Sequence, residues 1–456
     1  MKHWSIFGGA MLSLVYLAGC GGGSGDGSGS EGSEEGGEGE ADEVEVIGED
    51  SEDATELTFW TFNEQHIGIY EDAVERWNEE YEDRPIKLQA EVYPIEQMNN
   101  NLLLSLQSGS GAPDMADIEI SYFANFLEGD VQLESMNEHV EPVLDDMVEE
   151  RFDIYSKDDN YYGMPYHVGA TVMYYNTDIM EEAGVDIDEI VTWDDYVEAG
   201  EQVVENTDSM MTTVEVDEHF SFWPLISQRG SDYFNDEGDL TLADDTNVDT
   251  LQFLSDMVNE DEVAEVTPGG FHHSEEYYGY MNDGGAASLM MPTWYMGRFI
   301  DYMPDLEGKM EIRPLPVWEE GGNRTAGMGG TGTVVTNQTE EPELAKEFLA
   351  YAKLSEEGNI ALWQELGFDP PMYTVWDDEA MDEPNPYYDY FDDDIFDTLL
   401  DLNGEIEALN ITPDLPDVQS EIHTNVLNSA VRQQNQDPEE ALKQAEEAVR
   451  SGQTEE

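Results

Sequence analysis

His272-His273, followed closely by Glu275 and Glu276, brings together residue types that ligate a divalent transition metal. Gly269 and Gly270 just before the pair point to an exposed turn, so the expectation is a plain loop and no metal site. The run NDEGDLTLADD, residues 235–245, offers oxygens suited to Ca²⁺. It lacks the ligand spacing and closing glutamate of an EF-hand loop and reads as a hairpin turn. Arg298, Lys309, Arg313 and Arg324 put four of the 16 basic residues within 27 positions. Arg298 follows Trp294 by four, so a cleft holding both would suit an anion such as glycerol phosphate or a sugar phosphate. Ion pairing to the surrounding acids is the plainer reading. No glycine-rich phosphate loop occurs, and the eight scattered histidines form no Ser-His-Asp order. A carboxylate pair for glycoside hydrolysis cannot be singled out among 106 acids. No catalytic site and no cofactor are expected, and a secreted glycosidase is the least favoured reading.

Those acids set a formal net charge of −90. Residues 24–56 carry 14 of them, leaving 92 for the rest, so the charge covers the whole chain and is not an acidic tail. Self-repulsion on this scale disfavours a compact chain at low ionic strength. Molar salt shortens the screening length to about 3 Å and removes most of the penalty. The composition is that of a protein built for brine. It excludes nucleic acid as a partner, because phosphate binding needs Lys and Arg. Nine Trp, 23 Tyr and 16 Phe argue against disorder.

The elements that must position any site alternate. ELTFWTF reads as a strand, IYEDAVERWNEEYED as a helix, PIKLQAEVY as a strand, IEQMNNNLLLSLQSGSGAPD as a glycine-ended helix and MADIEI as a strand. This order within about 65 residues marks an open α/β sheet. Further on, ATVMYYN, AASLMMP and TGTVVTN read as strands. TWDDYVEAGEQVVEN, NVDTLQFLSDMVNE and EPELAKEFLAYAKL read as helices. The last helix, DPEEALKQAEEAVR, begins with Asp437 as N-cap and Pro438 in its first turn. Trp223 and Trp363 are expected in the core, and no internal repeat is visible. Asn323, Asn337 and Asn410 head glycosylation sequons.

At the N-terminus, Lys2 precedes an apolar run, Ile6 to Leu17, too short to span a bilayer. Leu17-Ala18-Gly19-Cys20 ends it and resembles a lipoprotein box, in which the signal is cut before the cysteine and lipid is attached to the thiol. Cys20 is the sole cysteine, so no disulfide forms within the chain. Residues 21 to about 56 are Gly, Ser, Glu and Asp, a self-repelling tether. With the charge, this resembles lipoproteins of salt-loving archaea. One departure is Lys2-His3 where many of those signals carry an Arg-Arg pair.

Taken in order, LTFWTF, GSGAPDMADIEI, YYGMPYHVGATVMYYNTDIMEEAG, TWDDYVEAGEQV, FSFWPLIS, GGAASLMMPTWYMGRF, GMGGTGTVVTNQTEEPELAKEFLAYAKLSEEG and DPEEALKQA resemble the extracellular solute-binding proteins of ABC importers, in the group similar to maltose-binding proteins. The resemblance runs from about Leu57 to Arg450. It implies a type II periplasmic-binding-protein-like α/β fold, two lobes joined by crossing segments with solute in the cleft between them. It implies a division into a signal over residues 1–19, a lipid-anchored linker over 20–56, lobe 1 over 57–168 plus 328–372, and lobe 2 over 169–327 plus 373–451. It also implies a receptor, monomeric and held at the outer face of the membrane through Cys20. The receptor would deliver a sugar or oligosaccharide to permease subunits. A sugar needs aromatic rings for its C–H faces and carboxylates or amides for its hydroxyls. Transferred by position, the ligand-binding residues are Trp60, Phe62, Asn63 and Glu64 after the first strand; Glu119 and Tyr122 after the third; and Tyr166 and His167 at the first crossing. Glu218 and Phe220 stand before WPLI, Trp294 and Tyr295 after Pro292, and Gly330 and Thr331 at the second crossing.

Overall fold

The computed structural model describes residues 41, 43–48, 54–391, 395–402, 404–406 and 409–452. The expected signal, Cys20 and most of the expected tether lie outside the described residues. Among those described, no helix is long and apolar enough to cross a membrane.

A six-stranded sheet runs in the order Glu43–Ile47, Ile86–Val92, Thr55–Thr61, Met115–Glu119, Thr331–Val335 and Gly163–Pro165. Thr55–Thr61 pairs parallel with Ile86–Val92 and Met115–Glu119, as strand-helix-strand alternation requires. Thr331–Val335 returns from far along the chain and inserts antiparallel between Met115–Glu119 and Gly163–Pro165. Glu43–Ile47 corrects the expected linker, which reaches into the fold: it adds an antiparallel edge strand that buries Ile47 opposite Leu88.

The second sheet centres on Thr171–Asn176, buried at every position and flanked antiparallel by Ser288–Pro292 and Met310–Arg313. A parallel pair, Thr212–Val214 with Ala264–Val266, is tied to it by hydrogen bonds from Ala287 N to Met210 O (2.8 Å) and Ser288 N to Met211 O (2.9 Å).

Helices cover the sheets with apolar stripes. Ile67–Glu80 buries Ile67, Tyr70, Val74 and Trp77 at helical spacing. Trp193–Asn206 starts with a capping box between Thr192 and Asp195. Ile95–Ser108 stops at Gly109, whose φ of +76° suits glycine. Pro438–Gly452 begins where expected, with Asp437 accepting from Glu439 N at 3.1 Å. Trp223 and Trp363 are buried. The run at 235–245 makes its hairpin, with Phe234 bridging Leu240.

Under the first sheet lies a buried polar cluster. Asp117 accepts from Thr61 Oγ1 (2.8 Å), Thr333 Oγ1 (2.7 Å) and Tyr166 OH (3.1 Å), and His66 Nδ1 stands 2.8 Å away. Lys353, fully buried, donates to Met164 O and Thr333 Oγ1 and lies over the Tyr166 ring. These partners hold the Asp117 carboxyl below the usual carboxylate range although burial alone would raise it.

Candidate functional site

The two sheets are joined where two chain crossings run side by side. Ala170 and Gly327 bridge antiparallel, and Met328 N donates to Gly169 O at 2.9 Å. A Cβ on Gly169, at φ +75°, would stand 2.5 Å from Met328 O, so only glycine permits this approach. Asp369 adds a third strand of contact that sequence reasoning missed. Its carboxylate accepts from Gly169 N (3.1 Å) and Ala170 N (2.8 Å), and its carbonyl accepts from Val168 N (2.9 Å). The FDPP run was its signal, since Pro370 forces the preceding residue extended. Arg151 is buried behind the second crossing and donates to Gly329 O at 2.6 Å.

On the wall from the second sheet, Trp294 follows Pro292 and is half-buried. Its Nε1 donates to Met328 O at 3.1 Å, its ring stacks on His273 at 5.7 Å and 19°, and Phe220 meets it edge-on at 5.5 Å. On the wall from the first sheet, Trp60 packs edge-on against Tyr93 at 5.2 Å. Expected to sit within a strand running to Ile120, Glu119 instead ends its strand, and its carboxylate caps Ile120–Phe126 by accepting from Ser121 N at 2.8 Å. Tyr122 lies in that helix's first turn. Burial pushes the Glu119 carboxyl up to about 7, and Glu218 on the facing wall adds to the shift. Burial likewise raises Tyr122, with Glu119 and Glu218 contributing. Glu218 itself is pushed up to about 7 by burial and by Asp217. Gln419 Nε2 donates to Ser121 Oγ at 2.8 Å and ties the walls together beside this group.

The structure thus places Glu119 and Tyr122 together at the start of Ile120–Phe126, with Glu218 near enough to perturb both, and Phe220 with Trp294 as an aromatic group. Other expected residues take supporting positions. Tyr166 is buried and spends its hydroxyl on Asp117; Tyr295 is buried and donates to His272 O at 2.5 Å. His167 is buried against Phe368 at 5.1 Å, and its Nδ1 has no partner. Asn63 caps the turn Glu64–His66, Glu64 is exposed, and Phe62 meets His66 edge-on. Gly330 has no room for a Cβ, which would stand 2.6 Å from Tyr155 OH; Thr331 is buried opposite Glu119.

The expectation of an exposed loop at His272 is overturned. Gly269 and Gly270, at φ +77° and +90°, turn the chain inward, and His272 is 1% exposed with its N–H on Glu215 Oε1 at 2.6 Å. Of the four clustered bases, Lys309 pairs with Asp178, Arg313 with Asp188 and Glu311, and Arg324 with Asp401 and Glu405. Arg298 is half-buried and near enough to His273 to help lower its pKa, after burial, to about 4. The Asn410 amide is taken up by Phe234 O at 3.0 Å, while Asn337 is exposed.

Two α/β lobes, crossing segments between them and facing aromatic and carboxylate walls define a two-lobed, type II periplasmic-binding-protein-like solute receptor. Residues 63–359 match the family described as bacterial extracellular solute-binding protein. The chain belongs to that family. It is similar to a protein of Halalkalibacterium halodurans named arabinooligosaccharide-binding protein, 61% identical over 89% of this chain and 91% of the relative. A Bacillus subtilis protein of the same name is 52% identical over 86% of this chain and 91% of its own. Among solved structures, the galacto-N-biose/lacto-N-biose I-binding protein of a Bifidobacterium longum ABC transporter shares the fold. Its TM-score is 0.72 at 18% identity, over 88% of this chain and 97% of that one. These relatives agree with the expected class, an extracellular substrate-binding receptor of sugar importers and not an enzyme.

Buried titratable groups fix how stability varies with pH. Burial pushes Glu215 up to about 8 and Asp232 and Asp369 up to about 6. The folded state therefore holds protons that the unfolded chain has released, and stability rises as pH falls from about 8 toward 6. Burial also keeps His167 and His272 neutral, well below their ordinary range. Below about 6.5 the unfolded chain takes up protons these imidazoles refuse, which opposes the gain. The expected melting temperature peaks between about pH 5.5 and 6.5; a steady climb to pH 8 would contradict this account.

Proposed function

We propose that this chain captures an arabinose-containing oligosaccharide at the cell surface and hands it to the permease of an ABC importer. The observation that carries the reading is the identity of 61% and 52%, over about nine-tenths of the chain, to two arabinooligosaccharide-binding proteins. The geometry supports it. Trp294 and Phe220 offer ring surface for a pyranose or furanose face, Glu119 and Glu218 accept from hydroxyls, and Tyr122 either donates or accepts. Trp60 extends the aromatic surface on the opposite wall. Phe62, Asn63, Glu64, Tyr166, His167, Tyr295, Gly330 and Thr331 shape the cleft and hinge around them. In this reading lobe 1 comprises 57–168 plus 328–372 together with the added strand Glu43–Ile47, and lobe 2 comprises 169–327 plus 373–451. A ligand contacting both walls favours the closed arrangement of the lobes.

Residues 1–19 serve as an export signal and Cys20 carries the lipid. The acidic tether keeps a monomeric receptor near its permease, where its local concentration is high. The charge of −90 suits this receptor to brine.

The test is a thermal-shift screen in about 2–3 M KCl, where charge is screened, against arabinose oligomers, maltose, lactose, sugar phosphates and glycerol phosphate. A dose-dependent rise with arabinose oligomers is expected, because a ligand binding only the folded state stabilises it by mass action. A rise with phosphates alone would move the ligand to the anionic class and Arg298 into the cleft. No rise with any of these, from protein that melts cooperatively, would overturn the reading.

A further inference from the structure

We propose that Glu218, His219 and His423 form a binding site for one transition-metal cation of the Zn²⁺ type, beside the cleft. His219 Nδ1 and His423 Nε2 are 2.9 Å apart; the ring planes are within 17° of each other and the centroids 5.1 Å apart, so the imidazoles meet nitrogen to nitrogen. Glu218 Oε2 lies 3.7 Å from the same His423 nitrogen. One ligand atom from each residue falls within 4.8 Å of the others. Ligands at about 2.0–2.1 Å around a tetrahedral ion are roughly 3.3 Å apart. The three atoms therefore straddle the required spacing, and small side-chain adjustments admit the ion. Without an ion, a single proton shared by the two nitrogens is all that joins the rings. With one, both lone pairs face the metal.

The donor chemistry selects the cation. Two imidazoles and one carboxylate favour Zn²⁺, Cu²⁺ or Ni²⁺, whereas Ca²⁺ and Mg²⁺ prefer oxygen alone. On a surface with this many acids, imidazole is what separates a specific site from diffuse cation binding.

The ligands are held by the fold. His219 is 7% exposed; its carbonyl accepts from Phe222 N and Trp223 N, and its ring edges the Trp223 indole at 5.1 Å. His423 sits in Ile422–Val426, a stretch of π-helix continued by Asn428–Arg432. Wide turns of this kind are rare and occur frequently at functional sites. His423 and Glu218 retain side-chain exposures of 21% and 38%, so an ion has a route in from solvent. Three protein ligands leave a fourth position open. The Phe220 ring lies 4.8 Å from the His219 ring, so the cluster borders the aromatic wall. A bound cation would offset the crowding of Glu218 with Asp217 and Glu119 and offer a Lewis-acidic contact to a ligand oxygen. The site does not depend on which sugar the receptor binds.

The experiment titrates EDTA-treated full-length protein with Co²⁺ in about 2–3 M KCl, with excess Mg²⁺ to occupy oxygen-only surface sites. One equivalent of Co²⁺ should give the visible absorption of a four-coordinate nitrogen-ligated ion, and one equivalent of Zn²⁺ should abolish it. His423→Ala should weaken binding by at least about a hundredfold. Glu218→Gln, which preserves shape, should weaken it by about tenfold. No such absorption, or titrations of both variants that match the unaltered protein, would overturn the proposal.

Discussion

Trp294→Ala is expected to weaken oligosaccharide binding by about a hundred- to a thousandfold, about 3–4 kcal/mol. The ring is fixed from three directions before any ligand arrives. His273 stacks on it, Phe220 meets it edge-on, and Met328 O holds its Nε1–H at 3.1 Å. Gly329 supports the indole too, since a Cβ there would stand 3.2 Å from Nε1. A ring already immobilised loses little entropy on binding, so its full contact energy appears as affinity. Trp294→Phe keeps an aromatic face and loses the bond to Met328, and should cost about tenfold. Isothermal titration with the oligosaccharide that gives the largest thermal shift reads both variants. Truncation also removes the contacts to His273, Phe220 and Met328 O, so the melting temperature without ligand should fall modestly, and binding is read well below it. Binding by Trp294→Ala within threefold of the unaltered protein would show that the sugar does not stack there.

Much of this arrangement was legible in the sequence, for definable reasons. Regular elements were visible because periodicity and caps are local signals, as in Ile67–Glu80 with its stripe or Pro438–Gly452 behind Asp437. Trp294 and Glu119 stood out because each interrupts the pattern around it: a tryptophan just past a Pro-ended buried strand, and a carboxylate on an apolar strand. What sequence cannot show is long-range pairing. Asp369 meets Gly169 and Ala170 across about 200 positions, and Arg151 meets Gly329 across 178. His423 meets His219 across 204.

Aromatic type also fails to separate wall from core. The resemblance implies Tyr166 and Tyr295 as ligand contacts, whereas each is buried with an internal acceptor for its hydroxyl. Composition misled at two places. The strand EVEVI was lost in an acidic Gly/Ser run although its alternation is regular. In sequence the glycines before His272 suggest exposure, whereas their positive φ turns the histidine inward onto Glu215.

Transfer from about 3 M KCl to about 0.1 M salt is expected to unfold the protein. With 106 acids against 16 bases, only a small share of the carboxylates can have a cation beside them. Two like charges about 8 Å apart in water repel by on the order of 0.5 kcal/mol. Repeated over a surface carrying −90, that sums to more than the roughly 5–15 kcal/mol by which folded domains are stable. At 0.1 M the screening length is about 10 Å and neighbours still interact; at molar salt it is about 3 Å and they do not. The few surface ion pairs, such as Arg76 with Asp72 or Lys443 with Glu439, contribute little under either condition. Circular dichroism during dialysis from high to low KCl should show cooperative loss of helix, reversed when salt returns. A few tens of millimolar Mg²⁺ should restore the fold at low KCl, because a divalent ion neutralises carboxylates directly, and an equal concentration of sucrose should not. A melting temperature unchanged between the two salt concentrations would mean that the fold tolerates its charge unscreened, and that the acids serve solubility alone.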